Sequence, residues 1–215
     1  MKLKSPIKKF NNEPIYTTLP YGDKTFLPQY KLLGWNLAFH NGEDYCPSAN
    51  PQRAYGVPVL ASQDGIVDKV VWDSPMSTKG NGITILGKFF QDTDGKQRIL
   101  GTVYWHLSQI SVKAGDKVKA GDMIGRLGNS GFVIGTTILP QKGTHIHFGV
   151  YQYVLGTDNV WRVEFPNNGV AGAVKPSDWL EESWKENAPV MGWTDYLNYW
   201  EDIKKLAAEL FKKGR

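Results

Sequence analysis

The chain has 215 residues, of which 41% are hydrophobic and 21% charged, with a formal net charge of +4. This suits one domain with additions and argues against disorder, while a single cysteine excludes an intrachain disulfide and a thiolate-only zinc site. No run approaches the ~18 apolar residues of a membrane span, and the positive charges are scattered, which suits polyanionic surroundings such as lipid or wall polymers and argues against nucleic acid.

In chain order, the opening MKLKSPIKKFNNEP has the positive start of a secretory signal. Pro6, Lys8 and Lys9 fall where its apolar stretch belongs, so no signal peptide is expected. Residues 1–34 hold Pro6, Pro14, Pro20 and Pro28 without a clear period, and are predicted to be an irregular arm lying over a core. VPVLASQDGIVDKVVW (57–72) predicts a strand, a tight turn at Asp64-Gly65 and a second strand. GNGITILGKFF (80–90) predicts a strand opened by glycines, and QDTDGKQR (91–98) a polar turn centred on Asp94-Gly95. ILGTVYWHLSQI (99–110) predicts a strand pairing back onto 83–90. Short β pieces between glycines fill 112–128, and HIHFGVYQYV (145–154) is the clearest alternating strand. No long helical period interrupts this stretch, so it reads as antiparallel β.

Helix is predicted only near the end. A short one runs through WLEESWKEN with Ser177 or Asp178 as cap. A longer one spans Asp195 to Lys213, between Thr194 as N-cap and Gly214 as stop. Its residues Tyr196, Trp200, Ile203, Ala207 and Leu210 share one face, which is expected to pack on the β core, with a partner- or wall-binding helix as the alternative.

The four histidines are His40, His106, His145 and His147. On a strand, side chains two apart share a face, so His145 and His147 lie ~7 Å apart on one side while Ile146, Phe148 and Val150 enter the core. Such a pair can share a metal or divide ligand and acid–base work; two surface histidines on an edge strand are the plainer alternative. In His40-Asn41-Gly42-Glu43-Asp44, Asn-Gly predicts a turn with one backbone position at positive φ. A turn can bring His40 and Asp44 to one ion, or it can be only a polar loop with a capping aspartate. His106 ends an apolar strand, where a packed, hydrogen-bonded histidine is the common case. Taken jointly, three protein ligands plus an open position form the catalytic zinc pattern, and two further histidines can move protons or hold an oxyanion.

At these residues the sequence resembles the M23 metallopeptidases, the lysostaphin/LytM-type cell-wall endopeptidases. The family's HxxxD and HxH signatures stand here as His40–Asp44 and His145–His147. VPVLASQDGIV, GNGITIL, VYWHLSQISVKAGDKVKAGDMIGRLGNSG and GTHIHFGVY are similar to the family's intervening segments, so the resemblance covers about residues 35 to 154. It implies a mainly β fold, an antiparallel sheet or sandwich core of the LytM/lysostaphin (duplicated hybrid motif) type, here with C-terminal helices packed on it. It implies a catalytic β domain over 35–155, between the arm of 1–34 and a C-terminal extension over 156–215. It further implies that His40, Asp44 and His147 bind Zn²⁺, that His145 helps deprotonate water, and that His106 helps stabilise an oxyanion. The implied substrate is the peptide part of bacterial peptidoglycan, its stem-peptide crosslinks or bridges, and the implied place of action is the bacterial wall. Without a signal peptide, a phage lysin, a virion-associated hydrolase or a shortened chain fits.

Two other readings are a non-catalytic LytM-like module that binds wall or activates another hydrolase, and a lipoyl/biotinyl-type carrier domain. All five polar positions are kept, which counts against the first. Lys69, Lys79 and Lys88 lack a carrier's flanking methionine and acidic context, which counts against the second. The sequence also departs from the family pattern. Glu43 stands where an apolar residue is usual and is expected to put an extra carboxylate beside the site. Cys46 is expected to be buried but near enough to the site to be oxidised, and Gly149 replaces a common acidic residue. The long segment Phe132–Thr144 is expected to border the cleft, and Trp35, Phe39 and Tyr45 to pack, with lining of the cleft as the alternative.

Overall fold

The computed structural model describes residues 1–32, 36–72, 80–131, 143–168 and 172–185. Within them the β-branched, aromatic and glycine-punctuated pattern becomes a chain of short strands. In order these are β1 (Tyr16–Leu19), helix α1 (Leu27–Leu32), β2 (Glu43–Cys46), β3 (Pro58–Leu60), β4 (Gly65–Val71), β5 (Gly82–Gly87), β6 (Phe90–Gln91) and β7 (Gln97–Trp105). There follow β8 (Gln109–Ile110), β9 (Lys117–Val118), β10 (Met123–Arg126), β11 (Ile146–Leu155), β12 (Trp161–Val163), β13 (Ala173–Val174) and helix α2 (Glu182–Lys185).

The larger sheet runs β1-β2-β11-β7-β5-β4-β9, with β12 and β13 on β11 and β6 on β7; the smaller is β3-β10-β8. All the strand pairs among the described residues are antiparallel, as the alternation predicts. The core lies between one face of the large sheet (Ile83, Ile85, Leu100, Tyr104, Ile146, Phe148, Val150) and the small sheet (Val59, Ile110, Ile124). Each such side chain, fully buried, contributes roughly 1.5–3 kcal/mol relative to exposure. Ile146, Phe148 and Val150 are all fully buried, so the opposite face of β11 is left for His145 and His147.

Two local expectations change. Residues 57–72 do form two strands, but β3 and β4 do not pair with each other: β3 joins β10, and β4 joins β5 and β9. Gln63 between them is buried and donates to the Leu100 carbonyl at 2.9 Å and the Thr102 hydroxyl at 3.2 Å, so the chain crosses from sheet to sheet over a plugged core. The arm of residues 1–34 contains β1, which pairs with β2, and it sends Leu3 and Ile7 into the core.

At the C-terminal end, the helix predicted through WLEESWKEN starts only at α2, after a tight turn at Pro176–Asp178, and its residues 186–187 lie outside the described residues. The reason is a bridge between Leu180 and Leu3, which delays the helix to Glu182. The predicted helix from Asp195 to Lys213 lies outside the described residues, as do Trp35 and most of 132–144. Among the described residues no helix is long and apolar enough to cross a membrane.

Candidate metal centre and active site

Strand register assembles the site. Asp44 on β2 lies directly opposite His147 on β11, and His147 lies opposite Trp105, the residue before His106. Cross-strand partners share a face and approach within about 5 Å, so two positions a hundred residues apart become neighbours. His40 enters just before β2, gripped by the turn after β1. Its N–H donates to the Asp23 carbonyl at 2.8 Å, and its own carbonyl accepts from Gly22 at 2.9 Å.

Between His40 and β2 the chain bends at Gly42. Neither Asn41 nor Gly42 has positive φ, contrary to the turn expected there. Gly42 is required for space instead: a Cβ there would stand 2.6 Å from Cε1 and Nε2 of His147 and 2.7 Å from the Phe148 carbonyl oxygen.

Three donor atoms converge. His40 Nε2 is 2.9 Å from His147 Nδ1 and 3.2 Å from Asp44 Oδ1, and His147 Nδ1 is 3.0 Å from Asp44 Oδ1. Ligand atoms ~2.0–2.1 Å from a tetrahedral zinc would be ~3.3 Å apart, close to this spacing. His40 Nδ1 donates to the Pro20 carbonyl at 3.1 Å, which puts the ring proton there and leaves Nε2 as a lone pair. Asp44 is acceptor-only when ionised. A single proton on His147 Nδ1 cannot satisfy both facing acceptors, so the donor set fits a cation. Burial opposes charge on both partners, yet Asp44 holds His40 above the usual imidazole value. His40, His145 and His147 in turn hold the Asp44 carboxyl well below the usual carboxylate range.

The other two histidines stand at the same face. The His106 ring lies 4.7 Å from that of His145 and 6.2 Å from that of His147, centroid to centroid. His106 Nδ1 donates to the Ser130 carbonyl at 2.8 Å, and His145 Nδ1 to the Gly143 carbonyl at 2.7 Å. In the neutral rings both Nε2 atoms are therefore acceptors, and that of His145 lies 3.5 Å from Asp44 Oδ2. Burial, then the neighbouring His145 and His147, push His106 down to about 3, so its ring is neutral. Burial also lowers His147 despite its contact with Asp44. His106 has φ of 67°, uncommon for a non-glycine residue. The chain leaves the large sheet there and joins the small one through β8. Ser130 braces this bend, its hydroxyl donating to the Leu107 carbonyl at 2.8 Å and accepting from the Asn81 N–H at 2.9 Å.

The five residues singled out in the sequence thus meet in one place. The carbonyls of Pro20, Ser130 and Gly143 could not be picked out, because every residue type offers a main-chain carbonyl. Glu43 is not beside the cluster: it alternates with Asp44 and shares a face with Tyr45, to whose hydroxyl it is bonded. Cys46 is fully buried and burial pushes its thiol up to about 12, which leaves it unreactive. Tyr45 packs on Phe148 and Trp184, and Phe39 on Tyr21.

His40, Asp44 and His147 could together hold a metal ion, with the imidazoles of His106 and His145 beside them. Residues 38–160 match peptidase family M23, and the chain belongs to that family. Over 116 residues it is 33% identical to glycyl-glycine endopeptidase ALE-1 of Staphylococcus capitis, a match covering 54% of this chain and 25% of that protein. It is 32% identical over 109 residues to an uncharacterized metalloprotease of Haemophilus influenzae, covering 51% of this chain and 18% of that protein. The matches therefore span a quarter or less of the length of these relatives. Among solved structures, the catalytic domain of the prophage-encoded M23 protein EnpA from Enterococcus faecalis is 27% identical with a TM-score of 0.46, covering 80% of this chain and 95% of that one.

Proposed function

We propose that this protein is a zinc-dependent endopeptidase that hydrolyses amide bonds in the peptide part of bacterial peptidoglycan, acting at the wall. The observation that carries the reading is the convergence of His40 Nε2, Asp44 Oδ1 and His147 Nδ1 within 3.2 Å of one another, beside two imidazoles with acceptor nitrogens. Membership of family M23 and the likeness to a glycyl-glycine endopeptidase support amide hydrolysis. The net charge of +4 suits an anionic wall polymer. The working unit is the β core over 35–155, to which the described parts of the arm and of the extension are joined through β1, Leu3 and residues 173–184.

His40, Asp44 and His147 would hold the metal. When bound, zinc supplies Lewis acidity, which polarises a scissile carbonyl and lowers the pKa of water. His145 Nε2 takes the proton of the attacking water, and Asp44 Oδ2 nearby steadies the imidazolium that forms. The same nitrogen returns the proton to the departing amine. His106, neutral with its proton on Nδ1, presents a lone pair that orients the water. It stabilises a developing oxyanion only as an imidazolium.

Purified protein is expected to hold close to one zinc per chain. His147→Ala should lose both the metal and wall-lytic activity, whereas His145→Ala should keep the metal and lose activity. A wild-type chain that holds no zinc and solubilises no peptidoglycan of any crosslink type would refute the proposal.

A further inference from the structure

Glu43 adjoins Asp44 in sequence and lies on the opposite face of β2, only 4% exposed. Its carboxylate accepts hydrogen bonds from the Tyr45 hydroxyl, and from the N–H and hydroxyl of Ser177, each at 3.0 Å. Tyr45 in turn meets Trp184 edge-on, with ring centroids 4.8 Å apart. The segment that contains Ser177 and Trp184 also ties down the start of the chain. Leu3 donates to the Trp179 carbonyl at 2.8 Å and accepts from Glu181 at 3.0 Å. Residues 3, 43 and 176–184 thus form a clasp behind the strand that carries Asp44.

We propose that Glu43 is a positioning residue for the metal site: by fastening residues 176–184 to the back of β2, it fixes where the Asp44 carboxylate stands among the donors. The inference rests on reading His40, Asp44 and His147 as the zinc ligands. Side chains 43 and 44 are joined by one peptide unit and point opposite ways, so a hold on one restrains the other. Such a hold is needed because the β1 edge of β2 is irregular at this point. The β1–β2 register shifts between Thr17, opposite Tyr45, and Leu19, opposite Asp44. An apolar side chain would fill the same space without the cost of burying a carboxylate, so what Glu43 adds is three directed bonds.

The test uses the full chain and zinc itself, with affinity read by chelator competition at a temperature where circular dichroism shows each variant folded. Glu43→Leu is expected to weaken zinc binding about 10- to 100-fold, the range seen when groups supporting a ligand are removed. Glu43→Gln, which keeps an acceptor for the Ser177 N–H, should recover most of the affinity, and Ser177→Ala should cost a few-fold. If Glu43→Leu does not fold, the graded pair Glu43→Gln and Ser177→Ala carries the test. Folded variants with lowered melting temperature and wild-type zinc affinity would reduce Glu43 to a stabilising contact and overturn the proposal. A wild-type chain that binds no zinc would overturn the site reading itself, so the two failures are distinguishable.

Discussion

Two buried polar clusters occupy opposite ends of the β7–β11 pair. At one end Arg98, opposite Val154, is gripped by Asp94 at 2.6 and 2.7 Å and by Glu164 at 2.7 and 2.6 Å, with Asp92 at 3.1 Å. At the other end His147, opposite Trp105, faces Asp44 and His40. The Arg98 cluster contains its own cation, bonded in forked geometry to two carboxylates, and is complete as a structural element. Around Asp44, among the described residues, the pairing groups are all imidazoles and none is a lysine or arginine. The two clusters thus differ in completeness: one binds its strands with a cation of its own, and the other gathers imidazoles around a carboxylate and could hold a metal ion. Functional polar groups are recognised less by being buried than by leaving their charge to be completed from outside.

This contrast can be broken experimentally. The largest effect is expected from Gly42→Ala, whose Cβ would collide with the His147 ring at 2.6 Å. We expect about 100-fold weaker zinc binding in chelator competition; wild-type affinity would show that the ring yields without disturbing the donors. Next is Arg98→Met, which takes the buried cation from the half-buried Glu164 carboxylate and leaves it Gln152 and Lys96. It should lower unfolding stability in urea by about 3 kcal/mol, the low end for breaking a buried pair because Asp92 and Asp94 stay partly exposed, and leave zinc affinity within about twofold. Loss of zinc there would mean that the two ends are coupled.

The smallest effect is a separation along the pH axis. Hydrogen bonds from Arg98 hold the Asp94 and Glu164 carboxyls below their ordinary values. Depressed carboxylates stabilise the fold above their unfolded values near ~4, and that stability is lost as pH falls through the lower folded values. Histidine ligands, by contrast, meet proton competition around pH ~6.5 and below. Zinc should thus leave between about pH 6.5 and 5 while circular dichroism stays native, with unfolding only below about pH 4. One shared transition would contradict this independence.

The sequence disclosed those parts of the molecule that depend on period. Alternation in 145–154 correctly puts Ile146, Phe148 and Val150 inside, and the pairing of 101–104 with 83–86 follows from the polar turn at Asp94-Gly95. What it hid depends on the third dimension. The opposition of Asp44 and His147 is a register between distant strands. Gly42 reads as a turn former but is an allowance for a ring. Glu43 reads as a neighbour of the site because sequence adjacency does not reveal which face a strand residue takes. Asp64-Gly65 reads as a hairpin because a crossing between sheets uses the same small and polar residues.

The Pro20 carbonyl, which sets the tautomer of His40, comes from before the stretch 38–160 that carries the family pattern. The portable part of this molecule is therefore larger than its recognisable part. A chimaera cut at residue 38 would import an imidazole whose Nδ1 proton has lost its acceptor, while one spliced ahead of Leu3 would carry that acceptor, β1 and the contacts of Leu3 with residues 179–181. For anyone recombining such modules, the natural seam lies upstream of Leu3.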